Sequence, residues 1–421
     1  MFSKSNFTYL ASTTIIVLWW LTAFKNPVAT EPFYYNSEAL KNQARPKEEL
    51  NFKSIDSFSL SRTEIKQAID GDITVMGKLI SEWDIEAEIL EYKGYDNVKR
   101  LDRQDFIRSQ IMTKTLCKAD PSEIEIIRFQ QRQRVVIDNT GHPLDLSLPY
   151  HKFLPQTYLS AGILMALIDP SQIVALPKGL RNQTSIYPEK TTSQIDTDID
   201  SFHCERISLT APDIAIVAQY YSHPSTLQAL SSQGIEMFCM GNICDIKDVK
   251  KSISDLGQIC NRPLKSELMN IFIEAALNAI DNKRLTIEDS IDLASVLIVN
   301  HHTQYSLPGT KTLTFSLMKR MGIPVNSTLF NGSIDDHAWS VPLQEEKIIG
   351  MNPKHLLIIT LPNESILDYF YQTELFDHID ASKNRNVTIL DEQVQQSPSQ
   401  YIVLAYYDIN QALFNLDEHS H

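Results

Sequence analysis

Glycine is scarce in this sequence, which contains 13 glycines among 421 residues, where an average chain of this length would contain about 30. Neither GxxxxGK[ST] nor GxGxxG occurs, so the chain has neither a P-loop nor the dinucleotide-binding fingerprint. GxSxG is also absent, and the triplet His203-Cys204-Glu205 consists of adjacent residues, which do not face one another on a helix. We therefore expect a protein that is not an enzyme.

An excess of basic residues is also lacking. The chain has 38 Lys and Arg against 52 Asp and Glu, which gives a formal net charge of -14. Proteins that bind nucleic acid usually present a basic face, so we expect no nucleic-acid partner. Hydrophobic residues make up 43% and charged residues 21% of the chain. These values are typical of a globular protein, and the length corresponds to about two to four domains.

The five cysteines form no CxxC motif, and their number is odd, so at least one is unpaired unless a partner chain supplies a thiol. A structural zinc site is not expected from these spacings. Cys239 and Cys244 are close enough in sequence to pair locally, and small buried thiols are the alternative interpretation. The five residues are Cys117, Cys204, Cys239, Cys244 and Cys260.

Residues 7–24 form an uncharged, largely apolar run between Lys4 and Lys25. This pattern is typical of a signal peptide or of a short N-terminal membrane anchor, which we assign to residues 1–30. No cysteine precedes Cys117, so the segment has no site for lipoprotein attachment. We expect the protein in the periplasm of a Gram-negative host, and tethered to the inner membrane if the segment is retained.

A linker and a helical extension are predicted over residues 31–132. Ser61 and Glu64 have the spacing of a capping box. Apolar residues recur at helical spacing over residues 72–92 and again over residues 106–116. Because the extension contains no catalytic group of residues, we expect a small helical bundle that packs on the main body.

The pattern changes near residue 134. Residues 134–138 and 144–148 flank the turn residues 139–141, which predicts a hairpin. Short apolar segments that alternate with helical ones then predict parallel βαβ units in a lobe over residues 133–260. The predicted strands of this lobe are 173–176, 214–218 and 236–240.

Residues 261–284 repeat apolar residues with a period near 3.6 and begin with Pro263 in the first turn, which predicts one long helix. The alternation of strands and helices resumes over residues 285–421. The predicted fold class is therefore α/β, with two Rossmann-like αβ lobes joined by a single long helix and an extra N-terminal helical extension. The elements predicted in the second lobe are strands 295–299, 355–359 and 387–390 and helices 310–321 and 399–413.

Six stretches stand in the order and spacing of one known family. They are RVVIDNTGHPLDLSLP (134–149), HKFLPQTYLSAGILMALIDPSQIVALPKGLRNQTSIYP (151–188), CERISLTAPDIAIV (204–217), QGIEMFCMGNICDIKDVKKSISDLGQICNRP (233–263), SLPGTKTLTFSLMKRMGIPVN (306–326) and PLQEEKIIGMNPKHLLII (342–359). Residues 134–413 thereby resemble the periplasmic substrate-binding proteins of ABC importers for vitamin B12, ferric siderophores and haem. The loop 154–162 departs from the family pattern because it lacks the usual Glu, and the extension has no counterpart.

The resemblance implies a monomeric protein that captures a metal chelate, namely a ferric siderophore, haem or cobalamin, between its lobes. It implies delivery of this ligand to an ABC permease in the inner membrane, with no cofactor of the protein's own. Two alternatives remain open: a direct divalent-metal binder of the same fold, and an envelope interaction module that kept the fold without transport.

Ligands of two-lobed binders lie at the carboxyl ends of the strands. We therefore expect the ligand-binding side chains on strand-to-helix loops, where aromatic rings suit a large planar ligand and an arginine suits a carboxylate or catecholate oxygen. The predicted ligand-binding residues are Tyr158, Arg181, Tyr187, Tyr221, His223, His302, Tyr305 and Trp339.

Three histidines support the alternative of direct metal binding. His301 and His302 are adjacent, and His337 follows Asp335 and Asp336; imidazole and carboxylate ligands suit zinc, manganese or iron.

The resemblance also implies two docking residues, Glu205 on the first lobe and Glu346 on the second. In relatives, the corresponding glutamates pair with arginines of the permease. Two charges held far apart on a rigid body fix the docking register. The alternative is that both are ordinary first-turn glutamates favoured by the helix dipole.

Overall fold

The computed structural model describes residues 60–118, 133–200, 204–218, 224–287, 291–324, 339–361, 364–373 and 376–416. Within these ranges no helix is both long enough and apolar enough to cross a membrane. The predicted targeting segment, residues 1–30, lies outside the described residues.

The extension is helical, as predicted. Ser61 Oγ accepts a hydrogen bond from the backbone of Glu64 at 3.3 Å, but the Glu64 carboxylate binds Lys78 Nζ at 2.7 Å, so only half of the predicted capping box forms. Asp72 caps the second helix by accepting from two backbone N–H groups, and Gly94 ends it with a left-handed φ of 87°. The helices are α1 (Arg62–Ile69), α2 (Ile73–Lys93) and α3 (Arg103–Lys118).

The predicted hairpin forms and leads into the first lobe. β1 (Val135–Ile137) pairs antiparallel with β2 (Pro143–Asp145). A parallel sheet in the order β3-β6-β7 follows, beside the parallel pair β4-β5. The strands are β3 (Phe153–Pro155), β4 (Leu176–Pro177), β5 (Asp198–Ile199), β6 (Ile214–Ala218) and β7 (Glu236–Met240).

Helices cover both faces of this sheet. The predicted strands 214–218 and 236–240 are confirmed at the predicted bounds as β6 and β7. The predicted strand 173–176 is shortened, because β4 begins only at Leu176. Ile173 makes only an isolated bridge to Phe153, because the preceding residues form a 3-10 turn over Pro170–Gln172. The helices are α4 (Tyr158–Leu167), α5 (Glu189–Thr192), α6 (Cys204–Thr210), α7 (Pro224–Ser232) and α8 (Ile246–Ile259).

The long connecting helix is α9 (Pro263–Leu285), and its 23 residues confirm the prediction. At about 1.5 Å per residue it is about 34 Å long. It is buried along most of its length, with Leu268 and Phe272 fully enclosed. A helix that is apolar on more than one side is covered by more than one neighbour, and α9 packs on α2, α3 and α8.

The second lobe contains a five-stranded sheet in the order β10-β9-β8-β11-β12. β8, β11 and β12 are parallel, and β9 and β10 form an antiparallel edge. The strands are β8 (Val296–His301), β9 (Tyr305–Pro308), β10 (Ser340–Pro342), β11 (His355–Thr360) and β12 (Val387–Asp391).

The helices of the second lobe also follow the prediction, with shifted starts. The helix predicted from residue 310 begins at Leu313, because Thr312 caps it by accepting from Phe315 N. The terminal helix begins at Ile402. The helices are α10 (Leu313–Met321), α11 (Glu345–Met351), α12 (Glu364–Gln372), α13 (Asp380–Lys383), α14 (Glu392–Gln395) and α15 (Ile402–Phe414).

One large apolar core joins the parts of the described chain. It includes Trp83 of the extension, Leu164 of the first lobe, Phe272 of α9 and Leu404 of the second lobe. The extension is therefore packed into the body rather than appended to it.

Cys117, Cys239, Cys244 and Cys260 form no disulfide in the described part of the chain. The local pair considered for Cys239 and Cys244 is therefore not formed, and Cys239 and Cys260 are the small buried thiols of the alternative interpretation.

Candidate functional site

The two lobes meet where their parallel strands end. Gln393, in the helix that follows β12, donates from Nε2 to the carbonyl of Asn182 at 3.2 Å. Its Oε1 accepts from the backbone N–H of Ser185 at 3.3 Å. We call the contact formed by Asn182, Ser185 and Gln393 the interlobe seam. Because parallel strands end on both sides of the seam, loops of both lobes that are predicted to bind the ligand come together there.

Tyr158 lies on the first-lobe side of the seam. Its hydroxyl donates to the carbonyl of Lys178 at 2.9 Å, and 37% of the residue is exposed. Gly179 has a left-handed φ of 87°, and a Cβ there would lie 2.6 Å from the Tyr158 hydroxyl oxygen. Only glycine satisfies both conditions, so Gly179 fixes a half-exposed phenol at the mouth of the cleft.

Tyr187 lies directly behind Tyr158 and is 2% exposed. Its hydroxyl donates to the backbone carbonyl of Tyr158 at 3.0 Å, and its ring meets the edge of Tyr401 in the second lobe at 5.5 Å. Burial raises the pKa of Tyr187, so the phenol stays protonated and donates. In this structure Tyr187 supports Tyr158 from within; direct ligand contact by Tyr187 stays a prediction.

Arg181 is engaged by its own lobe. Its Nε lies 3.0 Å from Asp198, and its two terminal nitrogens donate to the carbonyls of Thr192 and Ile195. The guanidinium therefore braces the 192–198 segment in the described structure, and the proposed contact with a ligand oxygen stays a prediction.

Lys178 is the cation that sequence reasoning missed. It follows β4 directly, and its carbonyl accepts the hydrogen bond from the Tyr158 hydroxyl. Its side chain is 69% exposed, and its Nζ lies 3.6 Å from Asp200 Oδ2. Its position at the carboxyl end of a short parallel strand is the signal that could have identified it.

Two histidines and a glutamate lie on the second-lobe side. His302 Nδ1 is 3.4 Å from Glu392 Oε2, and Glu392 precedes the seam residue Gln393. Burial raises the pKa of Glu392. Burial and the neighbouring His302 lower the pKa of His301, so the His301 imidazole stays neutral to a lower pH than an ordinary histidine. Its Nδ1 has no hydrogen-bond partner among the described residues, and a neutral imidazole is the form that binds metals.

Tyr305 lies in the core of the second lobe. It is buried, its ring lies 4.6 Å from that of His301, and it meets Phe376 edge-on at 6.2 Å. It therefore positions the His301 ring, whereas contact of Tyr305 with a ligand stays a prediction.

Trp339 is 50% exposed, a high value for such a large apolar ring. Its carbonyl accepts from Gly309 N at 3.0 Å, two residues before Lys311. Burial raises the pKa of Cys244 in the first lobe, and Lys311 acts on the same thiol in the opposite direction. Lys311 of the second lobe therefore lies within electrostatic range of Cys244 in the first lobe.

Both predicted docking residues are exposed. Glu205 lies in the first turn of α6 and Glu346 in the first turn of α11, one on each lobe. The helix dipole favours acidic residues at this position, so the placement agrees with both interpretations of these glutamates.

Three predicted site residues, Tyr221, His223 and His337, lie outside the described residues. Within the described ranges no group of three or more His, Cys, Asp and Glu side chains is arranged to hold a metal ion.

The family model for the periplasmic binding proteins matches residues 157–394, which is more than half of the chain. The chain belongs to this family, as its sequence predicted, and the two-lobed α/β fold is confirmed. The proteins of this family bind solutes and are not enzymes, so the expectation of a non-enzymatic protein is confirmed as well. No curated protein sequence matches the chain.

Solved structures of periplasmic binding proteins share the fold. One from Veillonella parvula is 17% identical with a TM-score of 0.55, over 68% of this chain and 92% of its own. A possible iron-binding protein from Staphylococcus epidermidis is 17% identical with a TM-score of 0.52, over 63% and 100%. The haem-binding protein RhuT from Roseiflexus is 17% identical with a TM-score of 0.51, over 63% and 98%.

Proposed function

We propose that this protein captures an iron chelate, either haem or a ferric siderophore, between its lobes in the periplasm. It then delivers the chelate to an ABC permease in the inner membrane. The names of the similar structures, which include iron-binding and haem-binding proteins, support this substrate class. The observation that carries the proposal is the interlobe seam between Gln393 and Asn182. On the first lobe, Lys178, whose carbonyl binds Tyr158, precedes Asn182 by four residues. On the second lobe, Glu392, which lies 3.4 Å from His302, precedes Gln393.

The side chains at the seam have the chemistry that an iron chelate requires. Phenol and imidazole are common axial ligands of haem iron. The exposed ammonium of Lys178 suits the propionate carboxylates at the rim of haem or the catecholates of a ferric siderophore. Trp339 adds an exposed aromatic face on the second lobe. Tyr221 and His223, which lie outside the described residues, follow β6 in sequence.

Delivery requires a docking surface, for which Glu205 and Glu346 are the proposed contacts. They are exposed on different lobes, and the rigid helix α9 joins those lobes. Charges at a fixed separation steer association and set its register. The N-terminal segment 1–30 either directs export or retains the protein at the inner membrane.

Haemin titration of single variants tests the proposed site. We expect Tyr158→Phe and His302→Ala each to weaken haemin binding by at least about tenfold, equivalent to about 1.4 kcal/mol. His151→Ala is the matched control, because His151 is an exposed histidine that precedes β3, at the opposite edge of the sheet. Soret absorbance reports the binding. If the wild-type protein binds haemin and both site variants bind it with the same affinity, the ligand lies elsewhere.

Direct divalent-metal binding is a second candidate, favoured by the 3.4 Å approach of His302 to Glu392 and by the unpartnered Nδ1 of His301. Together with His337, which lies outside the described residues, these side chains would complete an imidazole and carboxylate set. Stoichiometric zinc, manganese or iron in the purified protein, lost in Glu392→Gln and retained in Glu189→Gln, would favour this function over chelate capture.

A further inference from the structure

The helical extension contacts α9 at three levels. Near the start of α9, Arg108 forms an ion pair with Glu267. At its middle, the rings of Trp83 and Phe272 pack at 5.5 Å. These contacts come from α3 and α2, so two different helices of the extension lie along the same stretch of the connecting helix.

The third level lies near the end of α9. Lys99 Nζ binds Asp281 at 2.7 Å. The backbone of Lys99 also exchanges two hydrogen bonds with the Asn282 side chain, its N–H donating at 2.7 Å and its carbonyl accepting at 2.7 Å. About 15 residues separate Glu267 from Asn282, which corresponds to about 22 Å along the helix. The extension therefore contacts α9 along most of its length.

The extension also grips the second lobe directly. Arg62 forms a two-pronged ion pair with Asp408 of α15, at 2.7 Å and 2.9 Å. Asp70 accepts a hydrogen bond of 2.5 Å from the hydroxyl of Tyr401, the residue that precedes α15. Bidentate pairs of arginine and carboxylate fix orientation as well as distance, so α15 is held in one position against α1.

The extension touches the first lobe at Gly71. A Cβ at this glycine, which has a φ of 108°, would lie 2.4 Å from the carbonyl oxygen of Ala166 in α4 and 3.0 Å from Lys265 Nζ in α9. The turn between α1 and α2 is therefore pressed against the first lobe at the same place where the neighbouring Asp70 binds the second lobe.

A buried carboxylate joins these contacts. Asp281 is 3% exposed and receives Lys99 from the extension, Arg320 from α10 at 2.9 Å, and the hydroxyl of Tyr406 from α15. Removing one partner of such a buried charge is strongly unfavourable, because the remaining charges are left unpaired. A rotation of the second lobe relative to the extension would separate these groups.

We propose that the extension is a strap that holds the two lobes at a fixed angle. Rotation of the second lobe would have to break the pair of Arg62 and Asp408, the bond of Asp70 to Tyr401, or the junction at Asp281. Rotation of the first lobe would have to separate Gly71 from Ala166. The strap also reaches the cleft, because Tyr401 packs on Tyr187, which in turn holds Tyr158. The cleft is thus preset in shape before any ligand enters it.

Interlobe distances measured without ligand test this proposal, independently of what the cleft binds. Spin labels on Ser232→Cys in the first lobe and Gly350→Cys in the second, both exposed positions, report the lobe angle by pulsed electron resonance. The full chain is used, with Cys117, Cys204 and Cys244 replaced by serine to leave two reactive thiols. The test variant is Arg62→Ala with Lys99→Ala, which removes the ion pairs of the strap with Asp408 and Asp281.

Lys78→Ala is the matched control, because Lys78 pairs with Glu64 inside the extension and makes no ion pair with either lobe among the described residues. We expect one narrow distance in the parent and in Lys78→Ala, and a second distance or a clearly broader distribution in the double variant. Tyr401→Phe is the milder substitute if the double variant does not give a native circular dichroism spectrum. A narrow distribution identical to the parent in a folded strap variant would overturn the proposal.

Discussion

The Tyr401 hydroxyl donates a hydrogen bond of 2.5 Å to the Asp70 carboxylate, across 331 residues of the chain. Tyr401 is buried, and this burial raises its pKa, so the hydroxyl keeps its proton. The same ring packs edge-on against Tyr187. One tyrosine therefore contacts the extension, the second lobe and the first lobe at once.

Tyr401→Phe removes this hydroxyl without creating a cavity. We expect the free energy of unfolding to fall by about 1.5–3 kcal/mol, the usual range for a hydrogen bond to a charged group. Urea unfolding followed by circular dichroism measures the change. Tyr95→Phe, at an exposed tyrosine, is the control and should change stability by less than about 0.5 kcal/mol. Equal effects of the two variants would contradict the account of the Asp70 contact.

Asp281→Asn should be the more damaging substitution. It removes the buried charge that Lys99, Arg284, Arg320 and the Tyr406 hydroxyl share. Of these three cations, only Arg320 keeps another carboxylate among the described residues, that of Glu274. We expect a loss of about 3–5 kcal/mol, measured by urea unfolding. Asp255→Asn, which breaks a pair with the exposed Lys251, should cost about 1 kcal/mol or less; a similar cost at both positions would contradict the junction.

A comparison of Gly179→Ala with Gly94→Ala distinguishes the effect of backbone strain from the effect of displacing Tyr158. Both glycines have a φ of 87°, but a Cβ at Gly179 would meet the Tyr158 hydroxyl at 2.6 Å, whereas nothing lies within 4 Å of one at Gly94. We expect both variants to lose about 1–2 kcal/mol of stability. Only Gly179→Ala should also weaken haemin binding, because it displaces Tyr158. Loss of haemin affinity in Gly94→Ala, or none in Gly179→Ala, would count against Tyr158 as a ligand residue.

The hairpin is expected to lose stability in acid through Asp138. Burial alone would raise the pKa of Asp138, but hydrogen bonds from the Thr140 hydroxyl and from the backbone N–H groups of His142, Thr140 and Cys239 lower it by more. Since the folded pKa lies below the ordinary value of 3.8, the ionised carboxylate stabilises the fold above that pH, and this contribution disappears as the pH falls through the folded pKa.

Asp138→Asn removes that titration. We expect its melting temperature to lie below that of the wild type near pH 6 and the difference to shrink below about pH 3.8. Thermal unfolding from pH 6 to pH 2.5 measures both curves. A difference that stays constant over this range would show that Asp138 does not titrate with unfolding.

Charge reversal at both docking glutamates, Glu205→Arg with Glu346→Arg, is predicted to abolish uptake of haemin iron by cells of the native host. Haemin affinity of the purified variant should stay within about twofold of wild type, because neither residue is at the seam. Glu189→Arg reverses another exposed first-turn glutamate of the first lobe and is expected to leave uptake intact. Normal uptake in the double variant would favour the interaction module over the importer component.

Local patterns made much of the fold predictable. The apolar period of α9 and the short strands β6 and β7 are properties of neighbouring residues, and they appear at or near the predicted bounds. For the strap, the sequence predicted the helices but not their contacts with the lobes. The pairing of Arg62 with Asp408 joins residues 346 apart in sequence. The sequence around an arginine on a short helix does not indicate a partner that far away.

The candidate site was less predictable for the same reason. Arg181 and Tyr187 have the side chains expected of ligand residues, but their hydrogen bonds to Thr192, Ile195 and Tyr158 depend on how loops pack. Lys178 was missed because a lone lysine after a two-residue strand is unremarkable until the strand is placed in a sheet. Tyr158 and His302 stay predictions: His302 follows the predicted strand 295–299, and Tyr158 lies in the stretch 151–188 that resembles the family.

The most direct test of the central claim is titration of the purified wild-type protein with haemin, a ferric siderophore and cobalamin, following Soret absorbance and tryptophan fluorescence. The account predicts stoichiometric, saturable binding of haemin or of the ferric siderophore at micromolar concentration or below. A folded protein that binds neither iron chelate would contradict it.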